Sequence, residues 1–347
     1  MTAVTNYGDI SPAVAAYSVV RMLDRAIPYL VLEKFGQTYP LPTNSTLTAK
    51  FRRYFLSGST GSAGSGNPAS NFFIPLATTP LVEGVTPAGR MLANQDYTVT
   101  LSQYGDFVTI TDVIEDTHTD NILQQTTDVL GEQAAQTVET LRFNVLKAGL
   151  NVFYANNVGG RSSVVTAIAL ADQRRVTTGL NRQNARKITN VVASTADFNT
   201  KSVEAAYMAV CHPDLESDIR SMTGFVPVAS YGPHQTPFEA EIGSCEQVRY
   251  LATTIMTPFA DAGGAKGAMR STSGTSADVY PVLYFGRDAF GIVPLKGKSS
   301  MTPMVVNPKP APGDPLGQRG TVGWKLWTAT VILQDAFMAR LEVAATA

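Results

Sequence analysis

Cys211, His212, Asp214, Glu216 and Asp218 bring a thiol, an imidazole and three carboxylates into one short stretch. Such donors hold zinc when their spacing makes them converge, as tightly paired Cys and His ligands do. Here the acids recur every second residue along PDLESDIRSM (213–222), which reads as a helix with proline at its first position. Residues two apart on a helix do not share a face. Acids in a first turn instead suit the positive end of the helix dipole. Cys245 is too distant in sequence to complete a recognisable ligand pattern. His118 sits where a helix starts, a place for capping or solvation, and His234 has no chemical company. The glycine-rich run GSTGSAGSGN lacks the Lys-Ser/Thr ending of a phosphate loop. Gly297-Lys298-Ser299 has that ending, but Ile292 stands where the first glycine is required. There is no G-x-S-x-G elbow and no H-E-x-x-H, and no carboxylate pair takes acid and base roles. No catalytic residue, cofactor or metal site is expected. The balance moves toward a structural or assembly protein.

The basic residues Arg174, Arg175, Arg182, Arg186 and Lys187 form the other chemical cluster. No aromatic residues interleave with them, and the whole chain carries a net charge of −1. A solvated face or an inter-subunit ion-pair surface accounts for them first; weak contact with phosphates on an inner surface is the alternative. At 347 residues with 44% hydrophobic content the chain can bury a real core. The two cysteines point to a reducing compartment rather than a disulfide framework. The first residues lack a signal-peptide pattern, and no run approaches the about 18–20 apolar residues of a membrane span, so a soluble protein made in the cytosol is expected.

The element that organises the rest is a helix predicted over 119–156. Small or apolar residues recur there at steps of three and four, with acids early and bases late. About 35 residues at about 1.5 Å each would make a rod of roughly 50 Å. Before it, TLTAKFRRYFL from Thr46 alternates with period two, and Tyr97 to Ile110 reads as its partner strand. The about 40 residues between them exceed any ordinary loop. They comprise an uncharged Gly/Ser stretch, Ser57 to Asn71, and a Pro-rich apolar stretch. An isolated hairpin is marginal in water, so this arm is expected to lie on something outside its own domain, most simply another subunit. Its candidate contacts are Lys50, Arg52, Arg53, Leu81, Glu83 and Arg90.

At the start of the chain, Ser11-Pro12 opens a helix that ends before Pro28. Later, Leu180 to Val192 reads as a short basic helix. Glu204 to Pro213 reads as a buried strand, and Glu241 to Met256 as a turn then a strand. Val279 to Leu295 reads as two strands around Gly286-Arg287-Asp288. Thr321 to Ala344 reads as a long strand-forming end with Trp324 and Trp327.

An ordered set of strings carries a resemblance. They are FGQTYPLP (35–42), LVEGVTPAGR (81–90), SQYGDFVTITDVIEDTHTDNIL (102–123) and LGEQAAQTVETLR (130–142). Further on come AYMAVCHPDLESDIRSM (206–222), EIG (241–243) with VRY, VYPVLYFGRDAFGIVPLKG (279–297) and DPLGQRGTVGWKLW (314–327). Together they resemble the major capsid proteins of tailed double-stranded DNA phages, in the branch named after phage N-four. The resemblance covers the chain from about residue 20 onward.

It implies an α+β Hong Kong 97-type capsid fold: N-arm (1–45), E-loop hairpin (46–112), P-domain (113–200) with its spine helix, A-domain (201–300) and P-domain return strands (301–347). It also implies self-assembly into hexamers and pentamers of an icosahedral head around the genome. Packaged DNA would be contacted weakly and without sequence specificity. Scaffolding protein, portal and decoration or cement protein would be separate partners, with assembly in the host cytoplasm and residence in the virion. Some shells of this fold link an E-loop lysine covalently to a neighbour's asparagine. Lys50 is the only lysine in 46–112 and lies near the base of the arm, so no covalent links are expected. An encapsulin-like compartment shell shares the fold and is the alternative; a cytosolic enzyme is the third reading. The spine's apolar stripe is expected to take the strands around Trp324 to Leu333.

Overall fold

The computed structural model describes residues 30–42, 44, 46–56, 77–87, 89–117, 122–190, 202–231, 238, 240–295, 302–306, 308, 310 and 315–347. The helix read from Ser11-Pro12, the Gly/Ser stretch, His118, His234 and Gly297-Lys298-Ser299 lie outside them.

In chain order the strands are β1 Gln37–Thr38, β2 Thr48–Leu56, β3 Leu92–Thr100, β4 Ser102–Thr111, β5 Val152–Tyr154, β6 Tyr207–Cys211 and β7 Phe225–Pro227. Then come β8 Glu241–Cys245, β9 Val248–Ala252, β10 Val279–Phe285, β11 Phe290–Pro294, β12 Thr302–Val306, β13 Arg319–Ile332 and β14 Met338–Ala344. The α-helices are α1 Asp112–Thr117, α2 Ile122–Leu146, α3 Leu170–Arg182 and α4 Glu216–Arg220.

Three sheets result. A seven-stranded sheet has the order β5-β14-β10-β6-β9-β8-β7. Its central strands are covered on both faces: Tyr207, Ala209 and Cys211 enter one core, while Met208 and Val210 enter the other. That explains why YMAVC is apolar without alternation. A five-stranded sheet runs β1-β11-β13-β12, with β4 also on β13. The third sheet is the two-stranded hairpin β2-β3.

The central helix is shorter than its periodicity predicts. α2 spans 25 residues, about 37 Å at about 1.5 Å each. Its apolar spacing continues beyond Leu146, but the chain turns at Lys147-Ala148. The Asp335 carboxylate accepts from the Leu150 N–H at 3.0 Å. Val152–Tyr154 then joins β14 in parallel register. Branched and aromatic VFY suits a strand, and a neighbouring strand was available to take it.

The sheet-facing stripe of α2 is as expected. Leu130, Ala134, Ala135 and Val138 pack with Ile110, Val322, Trp324 and Leu326. The contact stops short of Leu333, because Trp327 and Ala329 turn to a different cluster with Leu41, Ala49 and Leu101. Arg142 and Glu139, buried toward the other end of α2, tie down the preceding chain. Arg142 bridges Glu139 at 2.8 Å and Glu33 at 3.1 Å, and Glu139 accepts from the Leu32 N–H. Burial pushes the Glu139 carboxyl above its ordinary range, partly offset by Arg142.

Three further readings are corrected. The strand read over Tyr97 to Ile110 is two strands broken at Leu101, whose N–H donates to the Leu47 carbonyl. β3 stays with β2, while β4 leaves to pair with β13 along ten positions. The basic helix read over Leu180 to Val192 lies upstream, as α3; Asn184, at φ 56°, turns the chain out of helical geometry just past its end. The end of the chain is two strands in different sheets, separated by a 3₁₀ turn at Asp335–Phe337. β10 and β11 likewise flank their turn yet belong to different sheets.

Candidate assembly surfaces

At its base the hairpin is held to the body of the same subunit. Phe51 lies over Gly291, where an added Cβ would meet the ring at 2.9 Å. On the same face of β2, the Arg53 guanidinium donates to the Gln334 side-chain oxygen. Arg53 thus ties the arm to its own subunit. A cleft of about 370 Å³ lined by Arg53, Phe51, Gln334 and Asp288 remains beneath.

Lys50 and Arg52 face the other way and are exposed. Both meet Asp96 on β3: Arg52 through two hydrogen bonds at 2.7 and 2.9 Å, Lys50 at 3.3 Å. Arg52 and Asp96 are register partners, so the bond locks the pairing of the two strands. The Arg52 guanidinium, with Lys50 helping, holds the Asp96 carboxyl well below the usual range. Asp96 was missed in the sequence, because its role depends on which residue lies across the hairpin.

Farther out, Leu81, Glu83 and Arg90 lie in an exposed segment. Leu81 is 79% exposed and Met91 75%, and Val82, Val85 and Leu92 are exposed beside them. A run this apolar and this open exceeds the scattered surface leucine that needs no explanation.

The basic cluster divides. Arg174 bonds to Glu246 through both nitrogens of its fork, and Arg175 reaches Asp172 and the Tyr154 carbonyl. Arg182, Arg186 and Lys187 form no ion pair among the described residues.

The tempting donor stretch is also dispersed. The Cys211 thiol points at the Leu251 carbonyl, and burial raises it to about 12. The His212 Nδ1 accepts from the Asp214 N–H at 3.2 Å. Asp214 meets Arg270 and Tyr280, Glu216 meets Arg220, and Asp218 holds Thr346. Among the described residues no three metal-binding side chains gather in one group. Each carboxylate here has a structural bond to make.

Comparison with protein families matches residues 95–341 to the model described as phage capsid protein. That span is more than half of the chain. The chain belongs to the phage capsid protein family. The capsid protein is similar in structure to the capsid of Ralstonia phage GP4, with a TM-score of 0.62 at 14% identity over 90% of this chain and 87% of that one. It is also similar to the capsid of cyanophage P-SCSP1u, with a TM-score of 0.56 at 13% identity over 91% and 88%. For the cyanophage Pam1 capsid the TM-score is 0.54 at 15% identity over 100% and 96%. No curated protein sequence matches it. Its α+β fold is the Hong Kong 97 type, and it is a major capsid protein that forms the phage head. It assembles with copies of itself and resides in the virion capsid. The family implies a structural role and favours the phage head over the encapsulin alternative.

Proposed function

We propose that the capsid protein builds the head from hexamers and pentamers in which residues 46–112 of one subunit lie over a neighbour. The observation that carries this is the exposed apolar run from Leu81 to Leu92 at the far side of a two-stranded hairpin. A fully buried leucine contributes about 1.5–3 kcal/mol relative to an exposed one, so several in one segment make a strong contact once covered. Heterologous contacts of this kind close into rings. Lys50, Arg52, Glu83 and Arg90 would border the contact and set its register. Within this reading 1–45 serve as N-arm, 113–200 with 301–347 as P-domain, and 201–300 as A-domain. Scaffold, portal and any cement protein are separate chains, and assembly takes place in the host cytoplasm.

The test is the double variant Leu81→Asp, Val85→Asp. It should give folded subunits by circular dichroism but no shells in negative-stain images. Shells of normal yield would sink the proposal.

A further inference from the structure

We infer that Arg182, Arg186, Lys187 and Arg287 form one basic surface that takes backbone phosphates of the packaged DNA duplex. This rests on the capsid protein enclosing the genome, and it narrows the five-residue basic cluster read from the sequence to three members plus one that sequence order hides.

The local backbone brings the four together. Arg182 ends α3, and the Ala185 N–H bonds back to the Leu180 carbonyl. Asn184, in the left-handed region, folds the next residues tightly against that end. The turn between β10 and β11 then docks there: the Arg287 N–H donates to the Arg186 carbonyl at 2.8 Å. At Gly286 an added Cβ would lie 3.2 Å from the Ala185 side chain and 3.3 Å from the Arg186 carbonyl. Residues about a hundred positions apart thus share one surface.

Charge accounting sets this surface apart. Elsewhere arginines meet acids: Arg52 with Asp96, Arg161 with Glu342, Arg174 with Glu246, Arg220 with Glu216, Arg270 with Asp214. Arg182, Arg186 and Lys187 meet none among the described residues. Arg287 is 67% exposed and has Asp288 only at 3.9 Å. Glu204 lies two residues before Ala206, whose carbonyl holds Ile188 and Thr189, yet it forms no ion pair with the four. The negative end of α3 favours Arg182 at its C-terminus. That accounts for one cation and not for the three beyond the helix. Among the described residues this surface gathers four cations with little acid, which fits a polyanion bound through its backbone without base readout.

The experiment measures binding of a labelled mixed-sequence duplex of about 30 base pairs to purified full-length capsomers between about 50 and 200 mM salt. Four phosphate contacts predict a log–log salt slope of about −3.6, hence roughly a hundredfold loss of affinity across that range. The triple variant Arg182→Gln, Arg186→Gln, Arg287→Gln should flatten the slope by about 2.7 and assemble shells of normal diameter. Arg174→Gln, whose guanidinium is engaged by Glu246, should leave DNA binding unchanged. Should the triple variant fail to fold, Arg287→Gln alone, at an exposed side chain, should still flatten the slope by about 1. Wild-type capsomers that ignore DNA, or variants with an unaltered slope, would overturn the inference. Loss of assembly with unaltered DNA binding would also overturn it and assign the surface to a neighbouring subunit. Failure of the wild-type chain to form shells at all would count instead against the assembly reading.

Discussion

The indole Nε1 of Trp324 donates to the side-chain oxygen of Gln133 at 3.2 Å, joining the long strand of the five-stranded sheet to the central helix. Gln133 in turn donates to Asp106 on β4 at 2.7 Å. One amide thus registers the helix against two adjacent strands, above the apolar contact of Leu130, Ala134 and Val138.

Removing either partner has different consequences. Gln133→Leu leaves a largely buried indole N–H without its acceptor, at a cost of about 1–3 kcal/mol. Trp324→Ala empties part of the cluster as well, at about 3–5 kcal/mol. Urea titration of dissociated subunits should rank the two variants in that order. Equal stabilities would show that the cluster closes up around the lost ring.

Seating of the arm depends on Gly291. Gly291→Val pushes into the Phe51 ring, and Phe51 is what the base of β2 rests on. We expect the subunit core to remain folded while shell yield falls at least tenfold. Protease cleavage within 77–100 should speed up in dissociated subunits. Unchanged cleavage would mean that Arg53 and Gln334 alone hold the arm.

Mature shells should be non-covalent. Lys50, the one lysine in 46–112, is held at the base of the hairpin by Asp96. Boiled, reduced particles should run on a denaturing gel as a single subunit band, and Lys50→Arg should assemble normally. A ladder of linked subunits that disappears in that variant would refute this.

Acid should weaken the seven-stranded sheet through His212. Burial lowers its pKa; Asp214 partly offsets this, and Arg270 lowers it a little further. The unfolded chain therefore binds a proton more readily than the folded one. The stability contributed is present above the unfolded value of about 6.5 and is lost as pH falls from there through the folded value. Melting temperatures of wild type and His212→Gln should converge as pH drops from about 7.5 to about 5.5. Parallel curves would place the acid sensitivity elsewhere.

Much of this architecture was legible from residue order. Alternation in TLTAKFRRYFL marked β2, with Ala49 and Phe51 inward and Lys50 and Arg52 outward. The unbroken apolar run of YMAVC marked a buried strand. The stripe of α2 named its own partner at Trp324. What periodicity could not mark is where regular structure stops because of something distant. The helix ends near Leu146 where Asp335 and β14 take the next residues, and the strand after Tyr97 breaks where Leu101 bonds to Leu47. The roles of the arginines were illegible for the same reason. Arg53 and Arg52 are adjacent, yet one anchors to Gln334 and the other locks onto Asp96.

By itself, then, the sequence determined that a central helix, the strand at β2 and the buried strand at β6 exist, and which family the chain belongs to, since these rest on local periodicity and on ordered strings of residues. Only the tertiary structure decided which charges are spent within the subunit and which face outward. Ion pairs form between side chains that folding brings within about 4 Å, whatever their separation along the chain. Arg174 found Glu246 and Arg161 found Glu342 in that way, while Arg287 was brought beside Arg186 with little acid to meet it.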